Sequence, residues 1–163
     1  MEILDSIFGK EHDSSTIYDV GVRYGFAVGV IAVVASLSSS YIMQGEWLDL
    51  NNGIKLISLI VLAAYATTGI CFLKAIRSYQ FIPTNKNKIT LYECLVLGLI
   101  IGIMSAIISS IGEVMLYQYL LTDQEKLRFT PTMLYHATQW KVLIRVAGSG
   151  ILAFLLGVFM QSK

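Results

Sequence analysis

Charge is what this sequence has least of. Only 14% of its 163 residues are Asp, Glu, Lys or Arg, against about a quarter in a typical soluble domain. The net charge is +1. No basic face stands out to neutralise phosphates, which argues against a nucleic-acid partner. Cysteine is scarce as well. Cys71 and Cys94 form no CxxC and have no histidine at ligand spacing, so they read as small apolar residues in a reduced setting. His136 has no carboxylate or cysteine at ligand spacing. HExxH, GxSxG, a Walker A loop and CxxCH are all absent, and no span carries paired histidines for a haem or paired carboxylates for hydrolysis. These gaps point away from an enzyme and away from any metal or cofactor.

What is abundant is apolar surface. Hydrophobic residues make up 55% of the chain and the mean hydropathy is +0.66. One soluble core could not hide so much, which makes the lipid bilayer the expected solvent. A helix needs about 20 apolar residues to cross it. Four stretches qualify: Tyr24–Met43, Ile54–Leu73, Leu91–Leu116 and Val142–Met160. They are too long, and alternate too little, to be strands. The expected fold is an all-α membrane protein: one domain, four transmembrane helices in an antiparallel bundle.

Residues 1–17 carry five charges and no long apolar run, so the first span is expected to direct its own insertion. The segment between spans two and three holds Lys74, Arg77, Lys86 and Lys88, whereas Gln44–Gly53 holds two acids and no base. By the positive-inside rule both termini lie in the cytoplasm, with Lys126, Arg128 and Lys141 in the last loop opposing that assignment. Tyr41, Trp47, Tyr117, Tyr119, Tyr135 and Trp140 mark the outer interface, and Tyr24, Tyr79 and Tyr92 the inner one. Pro83 breaks any helix joining spans two and three. In the outer loop, Thr122-Asp-Gln-Glu125 has the form of a capping box that would start a short interfacial helix, ended or re-aimed by Pro131.

Small residues fall in stripes. Gly21, Gly25 and Gly29 recur every four residues in span one; Gly98, Gly102, Ala106 and Ser110 in span three; Ser149, Ala153 and Gly157 in span four. Such spacing places each set on one helix face, and close approach over small residues is how helices associate in lipid. The Gly21/Gly25/Gly29 face is a candidate for a partner helix in this chain, in another membrane protein or in a homo-oligomer. Spans three and four run antiparallel, so facing positions have a constant sum. A sum near 259 would oppose Ser110 with Ser149, Ala106 with Ala153 and Gly102 with Gly157, and would bring Glu113 to Arg145. That intramembrane charge pair reads either as a lock on the hairpin or as a proton or ligand site.

Tyr24-Gly25, Lys74-Ala-Ile-Arg77-Ser-Tyr79, Lys88-Ile-Thr-Leu-Tyr-Glu-Cys94, Gly98 and Thr122-Asp-Gln-Glu125 together resemble a family of small four-span bacterial membrane proteins of unassigned function. Gln124 stands where that family's pattern has proline. The resemblance implies a bacterial inner membrane and the same layout, and no activity. The function expected is a non-enzymatic accessory or assembly subunit of a membrane complex. The alternative is a small homo-oligomeric transporter or channel using Glu113 and Arg145.

Overall fold

The computed structural model describes residues 17–44, 50–80, 89–119 and 131–161. They form four helices and, among the described residues, no strand: α1 (Ile17–Gln44), α2 (Leu50–Gln80), α3 (Leu91–Tyr119) and α4 (Pro131–Gln161). All four are long and apolar enough to cross a membrane, so the chain is a multi-pass membrane protein with the all-α, four-helix architecture expected.

The helices outrun the apolar stretches that mark them. α2 continues beyond Leu73 to Gln80 because Ala75, Ile76 and Tyr79 are buried there, giving the last two turns a packing face. α3 starts where expected. Thr90 and Glu93 form a capping box at its head: the Glu93 amide donates to the Thr90 hydroxyl (3.2 Å), and the Glu93 carboxylate accepts from the Thr90 amide (2.7 Å). Two orphan donors are thereby satisfied at once. Tyr79 donates to the same carboxylate (3.1 Å), tying the end of α2 to the start of α3. Pro131 opens α4, at a position whose missing amide costs nothing, and α4 therefore begins eleven residues before Val142; the short helix expected ahead of Pro131 lies outside the described residues. The turn at Pro83, the capping box at Thr122–Glu125, Trp47 and residues 1–16 lie outside the described residues.

Helix order in space departs from a simple up-down bundle. α3 is central, packed on both α1 and α4, and α2 packs mainly on α1. α1 and α3 run parallel with a fixed offset of 79: a Cβ added to Gly21 would lie 2.6 Å from Ile100, one at Gly25 2.6 Å from Met104, and one at Gly29 2.6 Å from Ile108. One step further the roles exchange, and Gly112 of α3 receives Val33. The Gly21/Gly25/Gly29 face is therefore filled by α3 of the same chain.

α3 and α4 are antiparallel and mesh over the expected stripes in a different register. Gly98 faces Ala153, Gly102 faces Ser149 and Cys94 faces Gly157, each pair of numbers adding to 251. The expected opposition of Ser110 with Ser149, Ala106 with Ala153 and Gly102 with Gly157 is thus displaced by eight residues, about 12 Å of helix rise. Depth explains the shift. The observed register sets Met160 level with Leu91, aligning the ends of the two spans, whereas the expected one would set Met160 level with Leu99.

The core gathers at the end where α1 begins and α4 finishes, here the proximal end. Val20, Phe72, Ile76, Cys94, Leu97 and Ala153 meet there, and the Tyr24 and Ser78 hydroxyls hydrogen-bond at 3.0 Å. Both cysteines are free and buried. Between Ile54 and Ile70 α2 stands away from the core, with no residue fully buried, and it meets α1 again at the distal end, where Gly53 is buried beside Ile42.

Candidate functional site: a polar cavity between three helices

Where α2 stands away, α1, α3 and α4 enclose a cavity of about 50 Å³. Its walls are Ala32, Val33, Ser36 and Leu37 from α1, Ser109, Gly112 and Glu113 from α3, and Arg145 from α4. The 79-residue offset builds one side: the contact of Val33 with Gly112 seats α1 against α3 immediately below it. Ser36, Ser109 and Arg145 reach the cavity from three different helices. By the two registers Ser36 lies level with Met115 and Arg145 with Ala106, so the Arg145 side chain extends toward the distal end to meet Ser109.

The register decides the charges. With Gly102 against Ser149, Arg145 comes level with the Ala106–Ser109 turn and not with Glu113. Its guanidinium donates to the buried Ser109 hydroxyl, which in turn donates to the Ala106 carbonyl (3.1 Å). Glu113 pairs with Lys141 at 3.4 Å, with 31% and 63% of the respective side chains exposed. The expected Glu113–Arg145 ion pair is thus replaced by two separate contacts, because α4 is shifted along α3. The two charged residues still share the cavity wall.

Several polar residues are spent within their own helices. Ser39 donates to Ala35 (2.7 Å), Thr67 to Ala63 (2.8 Å) and Ser105 to Gly102 (3.0 Å), as intrahelical bonding of Ser and Thr leads one to expect. Ser36 makes no such bond and lines the cavity instead. Ser109 was not legible as a site residue because it lies one position off the Ala106–Ser110 stripe. Only the observed register shows that its hydroxyl, and not the small stripe itself, receives Arg145. His136 and the aromatic residues Tyr117, Tyr119 and Tyr135 have no described side-chain environment. Among the described residues no cluster of His, Cys, Asp and Glu could hold a metal. A second, open hollow along α3 and α4, lined by Leu99, Trp140, Leu143 and Val146, is apolar and faces outward, as a surface solvated by acyl chains would.

No protein-family model matches this chain, and no curated protein or solved structure matches it.

Proposed function

We propose that this multi-pass protein is a non-enzymatic accessory or assembly subunit of a bacterial inner membrane, with both ends cytoplasmic, and that it engages its complex through the outer face of α2. One observation carries the reading. Tyr65 stands at the midpoint of the α2 span, is 73% exposed and has no hydrogen-bond partner among the described residues. A phenol belongs at the headgroup level, where its tip is wet. Left bare in hydrocarbon, its hydroxyl forfeits a hydrogen bond, at a cost on the order of 1–3 kcal/mol. A neighbouring helix that accepts from Tyr65 removes that cost. Gly69, one turn on, has nothing within 4 Å of a Cβ and leaves space for close approach. Because α3 already fills the Gly21/Gly25/Gly29 face, α2 is the helix left free to dock. The resemblance to four-span bacterial membrane proteins supports the compartment and the layout.

Photo-crosslinkers at positions 62 and 65, in the protein's own membrane, test this. Adducts to one discrete polypeptide, absent from a control crosslinker at Leu155 on α4, are the expected result. Adducts to lipid alone, from a protein that also purifies without companions, would sink the reading.

A small homo-oligomeric transporter or channel is the second reading, favoured by the polar cavity at Arg145 and Glu113. It ranks lower because that cavity is confined to the region near the distal end. Proton-coupled uptake lost in Glu113→Gln, with the fold retained, would reverse the order.

A further inference from the structure

One stripe of α2 changes its surroundings halfway along the helix. Ile54, Ser58, Val61 and Tyr65 are spaced three or four residues apart, and Phe72 and Ile76 lie seven and eleven residues beyond Tyr65. All six therefore share one helix face. At the proximal end that face is core: Phe72 and Ile76 are fully buried in the cluster that holds Leu97 of α3 and Ala153 of α4. From Tyr65 to Ile54 the same face is bare, with all four side chains exposed. α1, the main neighbour of α2, takes the adjoining face, where Ile57, Ile60, Ala64 and Thr68 are half-buried. The seam that α2 forms with α3 and α4 thus stops near mid-depth, and its continuation through the distal half is open.

We propose that this open stripe receives one transmembrane helix of another membrane protein, which extends the seam along the distal half of α2 and gives a side-chain oxygen to Tyr65. The proposal rests on the reading of α2 as the docking helix, and it names the face used and the chemistry of the partner. Ser58 already donates to the Ile54 carbonyl (2.9 Å), whereas the Tyr65 hydroxyl has no partner among the described residues. Acyl chains offer it none, because at the midplane the nearest headgroups are about 15 Å away. A helix backbone offers little, since its carbonyls are engaged within the helix. The acceptor is therefore an Asn, Gln, Ser or Thr side chain at mid-depth, of the kind that bonds across membrane helices. Gly69 lies one turn on, on the same side, and leaves room for close approach. A second copy of this chain fits less well. A symmetric pair would set Tyr65 against Tyr65 and hold the two helices apart beside that glycine.

Photo-crosslinkers placed singly on two faces of α2, in the protein's own membrane, test the stripe. Positions 54, 61 and 65 lie on it; positions 59, 63 and 70 are equally exposed and lie on the other open face. The first three should give adducts to one other membrane protein, joined within an apolar span, and the second three should not. Tyr65→Phe keeps the ring and removes the hydroxyl. It should weaken the association about three- to fifteenfold, the scale of one hydrogen bond between membrane helices, read from adduct yield at position 61 as the membrane is diluted with added lipid. Adducts to a partner from 59, 63 and 70, or from both faces alike, would overturn the stripe and leave the accessory-subunit reading standing. Adducts between two copies of this chain, or a yield at 61 that Tyr65→Phe does not change, would also overturn it. Lipid adducts alone at all six positions would remove both readings.

Discussion

Gly98→Ala adds one methyl group where α3 meets α4. The new Cβ would lie 2.5 Å from the Ala153 Cβ, 2.6 Å from the Ser149 carbonyl oxygen and 3.0 Å from the Gly150 Cα. None of these atoms belongs to a side chain that can swing away, so the helices themselves must part. Carbon atoms pack best about 3.5–4.0 Å apart, which calls for a separation of roughly 1 Å. A gap of that size already forfeits up to half of each dispersion contact along the seam, including those of Gly102 with Ser149 and Cys94 with Gly157. The expected loss is about 1–3 kcal/mol, in the range for overpacked interiors. Gly148→Ala is the matched control on α4. Nothing lies within 4 Å of its Cβ, so alanine gains helix propensity of up to about 1 kcal/mol with no clash. Reversible unfolding of both variants in mixed micelles, followed by far-ultraviolet circular dichroism, separates the two cases. Equal stabilities for Gly98→Ala and Gly148→Ala would refute the seam.

Two further outcomes follow from the register and the cap. In a background with Cys71 and Cys94 replaced by alanine, paired cysteines at 102 and 149 should oxidise to a disulfide. Cysteines at 102 and 157, displaced by about 12 Å of rise, lie beyond disulfide reach and should not; the reverse result would restore the 259 register. Glu93→Gln keeps the side chain's shape and removes the charged acceptor shared by Thr90 and Tyr79. It should cost about 0.5–2 kcal/mol and speed amide exchange at Glu93 and Cys94, and unchanged protection there would exclude a role for the cap.

Much of the architecture was legible in the residues. Apolar runs mark four spans because a bilayer demands length, and the glycine stripes mark the helix faces that touch. Which stripe meets which face was not legible. Periodicity places Gly98, Gly102 and Ala106 on one side of α3, but sliding α4 by two turns presents small residues to small residues again. Only the alignment of span ends in depth separates the two registers, and α4's start at Pro131 was hidden by the polar residues of its first turns. The charge pairing inherited that ambiguity, since a slide of eight residues exchanges the partner of Glu113 from Arg145 to Lys141. The parallel seating of α1 on α3 was beyond reach for another reason: helices adjacent in sequence are the natural first guess for neighbours in space.

That seating has a consequence for biogenesis. The glycine face of α1 finds its mate only after another 79 residues have been made, because Gly21 waits for Ile100 and Gly29 for Ile108. At about 5–20 residues per second, α1 and α2 spend roughly 4–16 s in the bilayer as an open hairpin with a bare backbone groove facing lipid. During that interval the nascent chain is at its most exposed to quality-control proteases and to mispairing with foreign helices. Arrival of the third span closes the groove and ends the risk.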